Sequence, residues 1–141
     1  MLARVTILCL GISFFPISSS LSGPAECKEH STLGGSYFTG RSYKTWDTFV
    51  DLPPPDAFRR AFAFLVKEGW KMGQIDKDLG LISASQEAAF GEGKAAPLNV
   101  LVEPMGDKGS KLTVTFSMSG GLVAPGAGDY ICKILDSVGS Q

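Results

Sequence analysis

Lys111-Leu112-Thr113-Val114-Thr115-Phe116-Ser117-Met118 alternates without a break. Leu112, Val114, Phe116 and Met118 share one side of an extended chain, and Lys111, Thr113, Thr115 and Ser117 share the other. One apolar and one wet face is the pattern of an antiparallel sheet that is covered on one side only. The turn residues Gly106-Asp107-Lys108-Gly109 precede this strand, and residues 98–103 precede the turn with Leu98, Val100 and Val102 in phase. Further back, residues 70–75 and 81–86 read as a hairpin closed by Asp76-Lys77-Asp78-Leu79-Gly80, with Ile82 and Ala84 alternating with Ser83 and Ser85.

Two helices flank these extended segments. In residues 56–68, Phe58, Ala61, Phe62, Leu65 and Val66 recur at helical spacing. Pro53-Pro54-Pro55 stands before the helix, where a missing N–H costs nothing, and Gly69 supplies the left-handed stop. In residues 129–138, Ile131, Ile134, Leu135 and Val138 make the apolar stripe. Residues 41–52 carry Tyr43, Thr45, Trp46 and Phe49 and favour a strand, with Tyr43 and Thr45 on one face and Trp46 with Lys44 on the other. The expected architecture is α+β, in the order β-α-β-β-β-α. It is a four-stranded antiparallel sheet with two helices on one face, a single domain over residues 41–138. Residues 26–40 are polar and glycine-rich and read as a flexible leader.

The first 25 residues have another character. Arg4 is the only charge before Glu26, and an apolar run of about 13 residues (5–17) leads into Ser18-Ser19-Ser20-Leu21-Ser22-Gly23-Pro24-Ala25. A bilayer span needs about 20 apolar residues. The expectation is a secretory signal peptide over residues 1–25, cut after Ala25 or after Ser22 or Ser20. Neither Cys9, after Leu8, nor Cys27, after Glu26, has the small preceding residue that lipid attachment requires.

Export leaves two cysteines, Cys27 and Cys132, in an oxidising compartment. Their pairing would close a loop of about 105 residues, worth about 3–5 kcal/mol in the chain-entropy description; the competing reading is two free thiols. The formal charge of −1 becomes −2 without Arg4, which gives no basic field for nucleic acid. His30, the only histidine, has no nucleophile near it in sequence. Gly91-Glu92-Gly93-Lys94 fails as a phosphate loop because positions 88 and 95 are both Ala. Ser119 fails as a nucleophile elbow because Ser117 stands where Gly is needed. No cofactor or metal is implied and no acid–base dyad is visible, so a non-enzymatic role is expected. Trp46, Phe58, Phe62 and Trp70 are the residues that could line an apolar cavity between helix and sheet, with an ordinary core as the alternative.

The stretch 52–85 resembles a known pattern. A proline-marked entry leads into Asp56-Ala57-Phe58, an amphipathic helix, Glu68-Gly69-Trp70, and then Ile75-Asp76-Lys77-Asp78-Leu79-Gly80-Leu81-Ile82. That run is similar to the repeated domains of BamC-like bacterial envelope lipoproteins. The resemblance implies a helix-grip α+β fold and a non-enzymatic accessory role in outer-membrane protein assembly. It places the chain in the periplasm or at the outer-membrane periphery, with peripheral membrane association and another envelope protein as partner. The alternative function is a carrier of a small apolar ligand in the helix–sheet cavity.

Overall fold

A computed structural model describes residues 24–87 and 93–140. The expected signal peptide therefore lies almost wholly outside the described residues, as does most of the rejected phosphate loop. The elements are α1 (Pro24–Glu29), β1 (Thr32–Ser36), β2 (Gly40–Phe49), α2 (Pro54–Lys67), β3 (Lys71–Asp76), β4 (Leu81–Glu87), β5 (Ala95–Met105), β6 (Gly109–Met118) and α3 (Ala127–Gly139). All strands form one antiparallel sheet in the order β1-β2-β6-β5-β4-β3.

Among the described residues, the expected four-stranded sheet with two helices is thus corrected to six strands and three helices. The run after α2 holds four strands rather than three: the extended segments read at 70–75, 81–86, 98–103 and 111–118 are each a separate strand, one more than the expected order allowed, with β3 at the sheet edge pairing β4. The segment read as a leader supplies α1 and β1. Thr32-Leu33-Gly34-Gly35-Ser36 has almost no strand propensity of its own; pairing with β2 holds it extended, from Thr32↔Lys44 to Ser36↔Gly40.

Residues opposite one another in these ladders share a face. Ile82, Val100, Val114 and Thr45 form a buried row across four strands. The adjacent row Ser83, Asn99, Thr115 and Lys44 points the other way. Helices cover the first face. Ala57, Phe58, Ala61 and Leu65 of α2 and Ile131, Ile134, Leu135 and Val138 of α3 complete the core against it. Val66, at the margin of the expected apolar stripe, is 50% exposed, and Ala57 is buried in its place.

The end of α2 is set by its last backbone bonds. Gly69, at φ +80°, donates to the Val66 carbonyl at 3.1 Å, and Trp70 donates to the Leu65 carbonyl at 3.0 Å. This paired stop satisfies two free carbonyls and turns Trp70 back into the core, where it is buried. At the other side of the molecule, Cys27 and Cys132 are disulfide-bonded, with Cα atoms 5.6 Å apart, and join α1 to α3. Thr45, the polar member of the buried row, donates its hydroxyl to the Cys27 carbonyl at 2.8 Å, so docking of α1 also satisfies a buried polar group.

Candidate functional site

A groove of about 770 Å³ lies between the first half of α2 and the β3–β5 end of the sheet. Its helix wall is Pro54, Pro55, Phe58, Arg59 and Phe62; its sheet wall is Ile75, Val102 and Pro104. The β3–β4 turn closes one end with Lys77, Asp78 and Gly80. The wall is chiefly apolar, with three ionisable side chains, in the size range of small-molecule pockets.

Local backbone features build this site. Met72 pairs with Ala84 and Ile75 with Ile82, with a register shift between them. Three residues apart on a regular strand, Met72 and Ile75 would face opposite ways. The bulge restores Ile75 to the helix-facing side, where it lines the groove. In the turn, the Asp76 carboxylate accepts the N–H groups of Asp78 at 3.0 Å and Leu79 at 2.9 Å, which fixes Lys77 and Asp78 beside the opening. Gly80, at φ +69°, brings the turn onto β5: Val102 N–H donates to its carbonyl at 2.9 Å, and a Cβ there would lie 2.1 Å from the Val102 oxygen. Arg59 is paired with Asp56 at 3.0 Å across one turn of α2, with both side chains largely exposed.

Of the four residues named from the sequence as cavity lining, Phe58 and Phe62 are in the groove. Trp46 and Trp70 are not among its walls. Trp46 stands on the uncovered sheet face, stacked on His30 with ring centroids 3.7 Å apart, and Lys111 Nζ lies 4.6 Å from its centroid. Its strand parity, opposite to Tyr43 and Thr45, carried that information. Trp70 is a core residue whose indole N–H donates to the Tyr130 hydroxyl at 2.6 Å, with its ring edge-on to Phe116. The sequence reading missed Ile75, whose orientation depends on a bulge, and Val102 and the prolines 54, 55 and 104, read only as strand interior or punctuation.

The ionisable groups of the groove wall, among the described residues, are Arg59, Lys77 and Asp78. Among the described residues there is no group of three or more His, Cys, Asp or Glu side chains arranged to hold a metal. His30 Nδ1 is 3.1 Å from the Trp46 carbonyl, engaged in holding the α1–β1 segment to β2. Asp47 is the one buried carboxylate among the described residues; burial pushes its pKa above the usual carboxylate range, and it is not part of the groove.

No protein-family model matches this chain, and no curated protein matches it. Among solved structures it is similar to CalU16 from Micromonospora echinospora, with a TM-score of 0.59 and 11% identity over 77% of this chain and 80% of that one. It is also similar to EF2215 from Enterococcus faecalis, a conserved protein of unknown function, with a TM-score of 0.50 and 10% identity over 82% of this chain and 78% of that one. At such identities the likeness speaks for the fold alone.

Proposed function

We propose that this chain is a non-enzymatic, exported binding protein that takes a small apolar or amphipathic molecule into the groove between α2 and the sheet. The groove carries this reading: an opening of about 770 Å³ whose walls are mostly carbon. The charged groups on its wall, Arg59, Lys77 and Asp78, suit the polar end of an amphipathic ligand. Export is supported by the Cys27–Cys132 disulfide, a bond that persists in oxidising compartments.

Neither tryptophan lines the groove, so native fluorescence is a poor reporter of its occupancy. Displacement of anilinonaphthalene sulfonate by dodecanoate reads it directly. Saturable binding at one site per chain is expected. Phe62→Glu, a change at a half-buried wall position, is expected to weaken it at least about tenfold by placing a charge against an apolar ligand. Binding that is non-saturable, or equal in the variant, would sink the reading.

A second reading has its own observation. All five residues of β1 are exposed, and β1 is an edge of the sheet. Such an edge accepts an added strand, which suits an accessory domain of the cell envelope bound to another envelope protein, as the BamC-like resemblance implies. Capture of one partner from an envelope fraction, abolished by Leu33→Lys on β1, is the expected result. Capture that is indifferent to that change would remove the edge from consideration.

A further inference from the structure

Phe38 is 87% exposed at the tip of the β1–β2 hairpin, the most exposed of the large apolar side chains among the described residues. Its neighbour Tyr37 is 44% exposed, and the two rings meet edge to face with centroids 5.5 Å apart. The tip is not loose. The Ser36 and Thr39 hydroxyls are 2.9 Å apart, Thr39 N–H donates to the Ser36 hydroxyl, and Gly121 N–H donates to the Tyr37 carbonyl at 2.7 Å. That last bond seats the tip beside the loop after β6, where Val123 is also exposed. Gly120 has no room for a Cβ, because the Phe38 carbonyl occupies that space. The fold therefore holds two aromatic rings out in water on a fixed support.

The charges on the hairpin itself have one sign. Between Ser31 and Trp46 the only ionic side chains are Arg41 and Lys44, and between Leu112 and Gly128 there is none. Neither Arg41 nor Lys44 forms an ion pair among the described residues. Asp129, at the start of α3 beyond that loop, is paired with Lys28 at 2.8 Å. A protruding aromatic pair on a hairpin that carries two cations and no acid suits an anionic lipid surface, where the rings enter the interface and the cations meet headgroups. We propose that the Tyr37-Phe38 tip is a membrane-contact device that docks this domain on bilayers containing anionic lipid. This goes beyond the groove and does not depend on its being occupied.

Co-sedimentation of the full chain with phosphatidylcholine vesicles, with and without phosphatidylglycerol, tests the proposal. The chain is expected to bind the anionic vesicles more tightly. Phe38→Ser is expected to lower that binding about tenfold, the factor for one phenyl side chain removed from an apolar medium. Phe38→Trp should restore it, and Val66→Ser, another exposed apolar position on α2, should leave it unchanged. Arg41→Gln with Lys44→Gln should erase the difference between the two vesicle types. Binding unaltered by Phe38→Ser, as insertion of residues 5–17 alone would give, overturns the proposal. So does a failure of the wild-type chain to bind, or a change of oligomeric state in Phe38→Ser, which would make a second copy the occupant of the tip.

Discussion

Asp47 faces the helices from β2 with only 5% of its surface exposed. One hydrogen bond serves its carboxylate, from the Thr48 N–H at 2.7 Å. Burial is the largest influence on its pKa and raises it above the usual carboxylate range; nearby Glu26 and Asp136 push the same way, while the Thr48 bond and His30 oppose them. Asp136 on α3 is also raised by burial. A raised carboxyl keeps its proton in the folded chain at pH values where the unfolded chain has lost it. Folding is then favoured most below the ordinary carboxylate range, and this contribution is lost as pH rises through the raised value. Asp47→Asn keeps a carbonyl to accept the Thr48 bond and removes the ionisation. The melting temperature of the wild type is expected to fall relative to that of the variant as pH rises above the ordinary carboxylate range. Parallel pH profiles would show that Asp47 titrates as it does in the unfolded chain.

The disulfide acts on whole elements. It joins α1, which opens the described chain, to α3, which closes it, across 105 residues of sequence. Beyond that bond, α1 has the Thr45 hydroxyl and the exposed Lys28–Asp129 pair to hold it. Replacing both cysteines by serine is expected to cost about 3–5 kcal/mol, read as a lower denaturation midpoint. Hydrogen exchange should rise first in residues 24–40, while α2 and β3–β6 keep their protection; uniform loosening would mean that the bond supports the whole core. The same segment marks the limit of what the sequence showed. α2, the 71–87 hairpin, β6 and α3 were legible because each carries its own periodicity or turn chemistry. β1 carries neither: Gly34 offers no side chain to favour a strand, and Gly35 sits at φ +81°, held in the ladder by its pairing with Arg41 of β2. The ladder of β5 runs on through Pro97 and Pro104, where the sequence reading stopped at each proline, because pairing with β4 and β6 outweighs one missing donor. In the groove, Phe58 and Phe62 followed from helical spacing, whereas Ile75 needed the bulge.

For the molecule as a whole, ladder register places the groove and the Phe38 tip at opposite corners. Val102 of the groove lies in the row with Leu112 and Asp47, whereas Arg41, next to the tip, pairs with Met118. Those rows are six residues apart along β2 and β6, roughly 20 Å at the rise of an antiparallel strand. Ile75 belongs to β3 and the tip to the β1 hairpin, the two edges of the six-stranded sheet, five strand spacings or about 24 Å apart. Sites some 30 Å apart with no shared side chains are expected to behave additively. Phe62→Glu should therefore weaken dodecanoate binding and leave vesicle binding alone, and Phe38→Ser should do the reverse. The double variant should show the product of the two single effects in each assay, within about a factor of two. A larger departure would mean that filling the groove changes how the tip meets a membrane. α3, which packs on both α2 and β2, and β6, which packs on α2 and pairs with β2, are the elements through which such coupling could run.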